Sequence, residues 1–326
     1  INSLYYELIC KIIKDNDLDC KIAILGDIHQ CINHWNHADH RYIQFVDELF
    51  CFNEYDWVNC NLSTSYRITD EISSFVNNCL LDNQRINTIK SHKNVKYLIC
   101  DTFKKNIILE YLQDYLDQGY TYDDIFILAP SVKSSQKIKP VQILANALTK
   151  NNIPIYVPNS DDKELDKDEL IGKIVFSTFH QAKGRERKIT IVYNFDESYF
   201  TFFAKNRNPY TCPNELYVAV TRSSEQLMVI HHYNNDYLPF INKSKLEQFT
   251  NIIYETPIYI NNKTEKKNLD TAVTDLTRHL PSKIIKHCLT YFTSTKVQDI
   301  DNTINIPVKI KQNTLIESVS EITGIA

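Results

Sequence analysis

Four short segments of this chain carry polar side chains that could bind a nucleotide or a nucleic acid. The first, GDIHQCINHW at residues 26–35, follows a short apolar run and ends in a tryptophan. The second, LSTSYR at residues 62–67, presents an aromatic ring and then an arginine, which could stack on a base and hold phosphate oxygens. Each segment alone has an ordinary alternative, because the first could be a strand-to-loop turn and Arg67 a surface arginine.

The third and fourth segments lie in the second half of the chain. STFHQAKGRE at residues 177–186 brings Ser, Thr, His, Gln, Lys and Glu side chains into one loop, whose glycine lets backbone approach a ligand. LYVAVTR at residues 216–222 predicts a helix that ends near Arg222. This arginine could reach a nucleotide across a domain cleft, as arginine fingers do, or it could be a cation that satisfies the helix dipole.

The elements that must position these segments are predicted from hydrophobic patterning. Continuous apolar runs are typical of strands covered on both faces of a parallel sheet, and amphipathic spacing predicts helices between them. Their alternation predicts an α/β fold with a doubly wound parallel sheet. The acidic stretch 159–170 is expected to be an exposed loop. The predicted strands are 21–25, 95–99, 125–129, 174–176, 189–193 and 227–230, and the predicted helices are 2–15, 42–52, 104–117 and 141–150.

Composition excludes several classes of protein. With 43% apolar and 23% charged residues among 326, the chain has the makeup of a folded protein. It has no apolar run long enough to span a bilayer and no signal peptide, so we expect an intracellular, unexported protein with no membrane partner. A net charge of −4 gives no general attraction to phosphate, so nucleic-acid binding would need a local groove. The nine cysteines include no CxxC pair, which favours buried thiols over disulfides or a zinc ribbon.

Taken together and in order, the four segments resemble motifs III, IV, V and VI of the superfamily 1 helicases of the UvrD, Rep and PcrA type. The resemblance covers roughly residues 21–230. It implies RecA-like domains of the P-loop NTPase type, with ATP and Mg²⁺ as cofactors. The implied activity is that of an ATP-dependent DNA helicase, which moves 3′ to 5′ on single-stranded DNA and unwinds duplex junctions. Such enzymes act in DNA repair and replication.

Five residues gain catalytic or nucleotide-binding roles from this resemblance. Gln30 resembles the residue that senses the ATP γ-phosphate, and Asp27 resembles the one that couples this sensing to motif III. Tyr66 resembles the ring that stacks on adenine. Arg67 and Arg222 resemble the two arginines that reach the γ-phosphate.

Five more residues gain roles at the nucleotide or on the DNA. Gly184 and Glu186 resemble residues that approach the nucleotide, with Glu186 at the ribose. Thr178 and His180 resemble contacts to single-stranded DNA. Trp35 falls where the family stacks a DNA base, and its alternative is a tryptophan of the hydrophobic core.

Several features of the family are missing. The sequence has no P-loop, which requires Gly, four residues and Gly-Lys-Ser/Thr, and no Asp-Glu pair before residue 21. We therefore expect a fragment, inactive alone, whose absent N-terminal RecA-like part would supply the Mg²⁺ ligands in cis. Residues 1–55 would end the first RecA-like domain. Residues 56–250 would form the second without a full 2B insertion, and residues 251–326 an extension of unknown role.

Two other interpretations accompany the helicase hypothesis. Cys31, His34, His37 and His40 recur every three residues, but on a helix the outer members diverge, so we expect no metal there. A non-catalytic module that binds single-stranded nucleic acid is the alternative function, and a start codon at Ile1 would favour it. The composition, rich in Asn, Ile, Lys and Tyr, together with the tail favours an AT-rich source such as a large DNA virus.

Overall fold

The computed structural model describes residues 1–15, 22–51, 57–133, 139–159, 165 and 167–255. Its helices alternate with short strands along most of this length. The described helices are α1 Ser3–Asp15, α2 Arg41–Gln44, α3 Val46–Leu49, α4 Asp70–Phe75, α5 Lys105–Asp117, α6 Pro140–Lys150, α7 Lys167–Leu170, α8 Ser198–Phe202, α9 Asn214–Val220 and α10 Lys243–Phe249. The described strands are β1 Thr64–Ser65, β2 Asn87–Thr88, β3 Val95–Cys100, β4 Ile125–Ala129, β5 Ile155–Tyr156, β6 Ile174–Thr178, β7 Arg187–Val192, β8 Ser223–His232 and β9 Thr250–Glu255.

A seven-stranded sheet forms the centre of the molecule, in the order β5-β6-β4-β7-β8-β3-β9. All of its strand pairs are parallel. Every residue of β4 and β6 is buried, which explains why these segments read as continuous apolar runs. Two separate clusters of buried side chains pack on the two faces. The predicted α/β class with a doubly wound parallel sheet is confirmed.

The predicted strand at 21–25 is wrong over the residues that the structure describes. Residues 22–27 form no strand, and the Leu25 side chain is 81% exposed. A strand persists only where a neighbour completes its hydrogen bonds, and the described chain pairs no strand with this segment. Motif III is therefore held by other contacts.

Two further predictions need correction. The single helix expected at 42–52 is two short helices, α2 and α3, because Phe45 has φ −118° and ψ 48° and interrupts the helical backbone. The stretch 159–170, expected to be exposed, buries Leu165 and Leu170, the latter in α7. Residues 160–164 and 166 lie outside the described residues.

The edge strand β9 had no prediction. It pairs with β3 from Val95 opposite Thr250 to Cys100 opposite Glu255. The division of the chain at 55 and 250 stays a prediction, since most of 251–326 lies outside the described residues. No helix in the described part of the chain is both long and apolar enough to cross a membrane.

The segment that carries motif V runs from the carboxyl end of one strand to the amino end of another. β6 and β7 lie on opposite sides of β4, and both run parallel to it. Residues 179–186 therefore return from the carboxyl end of β6 to the amino end of β7. Phe179 and Ala182 are buried and anchor this segment against the core. Thr178 therefore lies at the carboxyl ends of the strands, and Glu186 lies at their amino ends.

Candidate functional site

Motif III is organised around the carboxylate of Asp27. Its Oδ1 accepts hydrogen bonds from the backbone N–H of His29 at 3.0 Å and from Arg85 Nη2 at 2.7 Å. Its Oδ2 accepts from Gln30 Nε2 at 3.1 Å and from the Tyr217 hydroxyl at 3.1 Å. Asp27 thereby fixes the orientation of the predicted γ-phosphate sensor Gln30, and it joins motif III to motif VI.

The local sequence explains how this turn forms. Asp27 has extended backbone and caps one turn of 3₁₀ helix at Ile28–Gln30. Gly26 lies close to the end of the Ile43 side chain, which would have to move if a Cβ were added there. Asn214, at the start of α9, donates its side-chain amide to the carbonyls of Ile28 and Cys31, both at 3.0 Å. The turn is thus clamped onto α9 from both ends.

Motifs IV, V and VI meet at the amino ends of β7 and β8. Arg67 Nε lies 3.6 Å from Glu186 Oε2. Arg222 directly precedes β8, and its carbonyl accepts a hydrogen bond from the Arg187 backbone N–H at 3.1 Å. The positive charge of Arg67 acts on Arg222 as well. The predicted residues Arg67, Glu186 and Arg222 are therefore brought together.

Arg222 is held inside the protein. Its side chain is 1% exposed and donates to the Val218 carbonyl at 2.8 Å, the Arg185 carbonyl at 3.3 Å and Thr221 Oγ1 at 3.0 Å. Burial, followed by the nearby charge of Arg67, lowers the pKa of Arg222 to about 10. The guanidinium therefore stays charged at neutral pH, and within the described residues no carboxylate lies within ion-pair distance of it. The negative charges of Glu186 and Asp27 act on it from farther away and partly oppose the effect of burial.

Tyr66 and Gly184 are both open to solvent. The Tyr66 ring is exposed beside Arg67, as a ring that stacks on a base would have to be. Gly184 has φ +79°, a backbone conformation that other residues adopt only with strain, and the space where its Cβ would stand is empty. The glycine thus serves a turn that leaves backbone accessible.

A pocket next to Glu186 bears on what this domain can bind alone. It measures about 210 Å³, and Arg185 and Arg187 also line it. Pockets for drug-sized ligands run from roughly 300 to 1,000 Å³. The pocket is therefore smaller than that range, and Tyr66, Arg67 and Arg222 do not line it.

The predicted DNA contacts of motif V differ in accessibility. Thr178 is buried, and its hydroxyl pairs with the Gln181 side chain at 3.1 Å while accepting from the Gln181 backbone N–H at 3.2 Å. His180 is exposed, with Nε2 3.9 Å from Glu215 Oε1. His180 can meet a ligand directly, whereas Thr178 shapes the loop through Gln181. Their DNA-binding roles stay predictions.

Trp35 lies on the surface. It sits in a 3₁₀ turn at His34–Asn36 and is 75% exposed. The structure does not support the alternative of a core tryptophan. Among all the residues that the structure describes, no group of three or more His, Cys, Asp or Glu side chains is arranged to bind a metal ion.

Three polar residues that hold the site together were not predicted. Arg85 gave no signal, because it lies in an ordinary polar loop far from Asp27 in sequence. Tyr217 lies inside the motif VI segment, and Glu215 lies directly before it. Glu215 is buried and pairs with Arg207 through both terminal nitrogens, at 2.5 and 2.6 Å. Glu215 is a carboxylate at the start of an otherwise apolar helix, and this pattern is the signal in the sequence that could have identified it.

Comparisons with known proteins give a distant structural likeness only. No protein-family model and no curated protein sequence matches this chain. One similar solved structure is the C-terminal domain of a possible DNA helicase from Lactobacillus plantarum WCFS1, with a TM-score of 0.39, 15% identity, and coverage of 59% of this chain and 98% of that one. Another is the Hef helicase domain of Pyrococcus furiosus, with a TM-score of 0.32, 12% identity, and coverage of 71% and 52% respectively. At these values, the functional argument rests on the residues described above.

Proposed function

We propose that this chain forms the second motor domain, and the end of the first, of an ATP-dependent DNA helicase of superfamily 1 that moves 3′ to 5′ on single-stranded DNA. The observation that carries the proposal is convergence. Asp27 of motif III is bonded to Tyr217 of motif VI, and Arg67 of motif IV stands against Glu186 of motif V. Residues far apart in sequence, from four separate motifs, thus meet in pairs, which supports a single site built from these motifs.

An unsatisfied donor supports a phosphate at this site. Arg67 Nε is buried and makes no hydrogen bond among the described residues, since Glu186 Oε2 stands 3.6 Å away, within ion-pair but beyond hydrogen-bond distance. A buried N–H without an acceptor costs free energy, and a phosphate oxygen would remove that cost while pairing with the guanidinium charge. The residues present therefore fit the γ-phosphate of ATP.

The residues of this chain have distinct tasks in the proposed reaction. Bound ATP with Mg²⁺ supplies the phosphoryl group whose transfer releases energy, and the Mg²⁺ ligands would come from a P-loop and a motif II outside this sequence. Arg67 and Arg222 hold positive charge where negative charge grows during transfer. Gln30, oriented by Asp27, contacts the γ-phosphate. The exposed Tyr66 ring packs on the adenine, and Glu186 accepts a hydrogen bond from the ribose.

Single-stranded DNA would bind on the opposite side of the same loops. The exposed Trp35 offers a stacking platform, and His180 offers a hydrogen bond to the strand. Motif III contains both Gln30 and Trp35, while motif V connects His180 to Glu186. A change at the phosphate can therefore reach the DNA through short, rigid segments.

The test uses a protein in which this chain is joined to a first motor domain that carries a P-loop and a motif II. We expect DNA-stimulated ATP hydrolysis and movement on strands with a 3′ tail, but not on strands with a 5′ tail. Arg67→Ala should reduce hydrolysis by about 10³-fold, as loss of an arginine finger does. Lys90→Ala, a change of a partly exposed cation that no motif includes, is the matched control. Hydrolysis that survives Arg67→Ala would refute the assignment.

One observation favours the second candidate, a binding module without hydrolysis. The 326 residues contain no P-loop. If the reading frame begins at Ile1, and the chain binds single-stranded DNA with an affinity that ATP leaves unchanged, the module is the correct description.

A further inference from the structure

The loop that follows β7 exposes several aromatic rings. We call residues 198–212 the aromatic loop; it begins with α8 and lies at the carboxyl edge of the sheet. Phe202 is 66% exposed and Tyr210 is 76% exposed, and Phe203 between them is also open to solvent. Large apolar side chains that cluster on a surface mark a site of interaction more often than single exposed ones do.

The rings are exposed on an anchored loop. Tyr199 is buried against Phe179 of motif V, with ring centroids 6.2 Å apart, and Phe200 is buried against Phe240 at 6.2 Å. Ala204 is buried as well. Because these residues fix the inner side of the loop, the neighbouring rings are presented outward in a stable position.

The charge on this surface suits a polyanion. Lys205 stands between the exposed rings, and Lys183 is exposed on the motif V loop. Neither amine lies within ion-pair distance of a carboxylate among the residues that the structure describes. Exposed rings interleaved with unpaired cations are the features of surfaces that bind single-stranded nucleic acid.

The aromatic loop is joined to the predicted DNA contacts by two adjacent residues. Glu215 pairs with Arg207 of the aromatic loop and lies 3.9 Å from His180 of motif V. Asn214 holds the carbonyls of Ile28 and Cys31, next to the turn that carries Trp35. The start of α9 thus contacts all three loops.

We infer that the aromatic loop is a second stacking platform for single-stranded nucleic acid, continuous with the path from Trp35 past His180. Bases stack on Phe202, Phe203 and Tyr210, and Lys205 pairs with a backbone phosphate. This inference rests on the proposed function and deepens it, because it lengthens the strand that the domain holds. The unpaired lysines favour a nucleic acid over a protein partner on this surface.

The experiment measures the affinity of the 326-residue chain for a fluorescein-labelled oligothymidine of about 12 nucleotides. We expect Phe202→Ala and Tyr210→Ala each to weaken binding about tenfold, as loss of one stacked base does. The melting temperature should not change, because the rings are exposed. Phe103→Ala, which removes an exposed phenyl ring after β3, is the matched control and should bind like the parent.

Salt provides a separate measure of the phosphate contact. We expect Lys205→Ala to lower the slope of log affinity against log salt concentration by about 0.7, the value for one phosphate on a single strand. Phe202→Ala should leave this slope unchanged, since a stacked ring releases no counterion. A slope that Lys205→Ala does not change would contradict a phosphate contact at this lysine.

The outcomes separate this inference from the proposed function. If His180→Ala weakens binding while Phe202→Ala and Tyr210→Ala bind like the parent, the second platform is refuted and the proposed function stands. If the parent chain binds no oligothymidine, the second platform is refuted, and the hydrolysis test given above decides the proposed function. If the ring variants keep their DNA affinity but change the elution volume of the chain in size-exclusion chromatography, the surface binds protein and the inference is wrong.

Discussion

Asp27 and Tyr217, which are 190 residues apart in sequence, are joined by a hydrogen bond of 3.1 Å between the Tyr217 hydroxyl and Asp27 Oδ2. Burial, with the nearby charge of Asp27, raises the pKa of Tyr217 well above its ordinary value, so its hydroxyl remains a donor. Arg85 pairs with the other carboxylate oxygen. Motif III is consequently fixed to the sheet domain by a charged group with strong partners on both oxygens.

The first prediction is that Tyr217→Phe lowers the free energy of unfolding by about 1.5 to 3 kcal/mol, the range for a hydrogen bond to a charged group. The ring remains, so its packing against His29, with centroids 5.3 Å apart, is preserved. Urea denaturation of the chain measures the change.

Tyr115→Phe is the control for this prediction. The Tyr115 hydroxyl is buried and has no hydrogen-bond partner among the described residues, so its removal should leave stability equal or higher. Equal losses in the two variants would show that the Asp27 contact contributes nothing particular.

Hydrophobic patterning predicted the centre of the sheet and missed its margins. β4 and β6 are buried throughout, so their apolar runs are strong signals. β9 is an edge strand with half-buried residues and lacks such a run. The strand expected at 21–25 has an apolar run but no neighbour among the described residues, which local sequence cannot reveal.

The site was predicted in the same uneven way. The ordered motifs identified Arg67, Glu186 and Arg222, which the fold brings together. Arg85 and Glu215 act through partners distant in sequence, and no local pattern announces such a contact. The burial of Arg222 was not predicted, because the motif indicates where the helix ends and not how deeply the arginine side chain lies.

The second prediction concerns acidic pH. His231 is fully buried between the Tyr97 hydroxyl at 2.8 Å and the Asn235 carbonyl at 2.9 Å, and burial lowers its pKa below the ordinary 6.5, although nearby Asp196 opposes this. The unfolded chain therefore takes up a proton first as pH falls through 6.5. The free energy of unfolding should decrease below that pH, by at most about 1.4 kcal/mol per pH unit for this group.

Urea midpoints between pH 5 and pH 7 measure this dependence. His231→Gln removes the titrating ring and should flatten the slope, leaving the contribution of His29, whose pKa is also lowered by burial. A parent slope retained in His231→Gln would disprove the assignment.

The third prediction is that the chain as given hydrolyses no significant ATP. It contains no P-loop to cradle the β- and γ-phosphates. Phosphate release with and without single-stranded DNA measures it. Robust turnover that Arg222→Ala abolishes would overturn the fragment hypothesis.

The fourth prediction concerns Arg222→Ala in a protein that carries the P-loop. Hydrolysis should fall by about 10³-fold or more, while nucleotide affinity falls much less. The loss of the Val218 and Arg185 contacts should also lower the free energy of unfolding by about 1 to 3 kcal/mol.

The loss of stability expected for Arg222→Ala is too small to account for the expected loss of hydrolysis. Out of a total stability of roughly 5 to 15 kcal/mol, a loss of this magnitude leaves nearly all molecules folded, so unfolding cannot explain a thousandfold decrease. Hydrolysis is measured at a temperature where circular dichroism shows the variant folded. Turnover within a few-fold of the parent would make Arg222 a structural residue at the end of α9.

The fifth prediction is that Trp35→Ala weakens single-strand binding by roughly 1 to 3 kcal/mol, the value of one stacked base, without lowering the melting temperature. Trp35 is 75% exposed, so little packing is lost. A core tryptophan would behave differently, because truncation of a buried indole costs about 3 to 5 kcal/mol of stability.

Gln30→Ala separates the two ends of motif III. Gln30 is bonded to Asp27, whereas Trp35 belongs to the next turn of the chain. In a protein that carries the P-loop, Gln30→Ala should impair hydrolysis with DNA affinity nearly preserved, and Trp35→Ala should depress unwinding more than basal hydrolysis. If Trp35→Ala instead lowers stability while the folded fraction binds DNA normally, the indole is structural, and the coupling of phosphate to DNA through this short segment loses its physical basis.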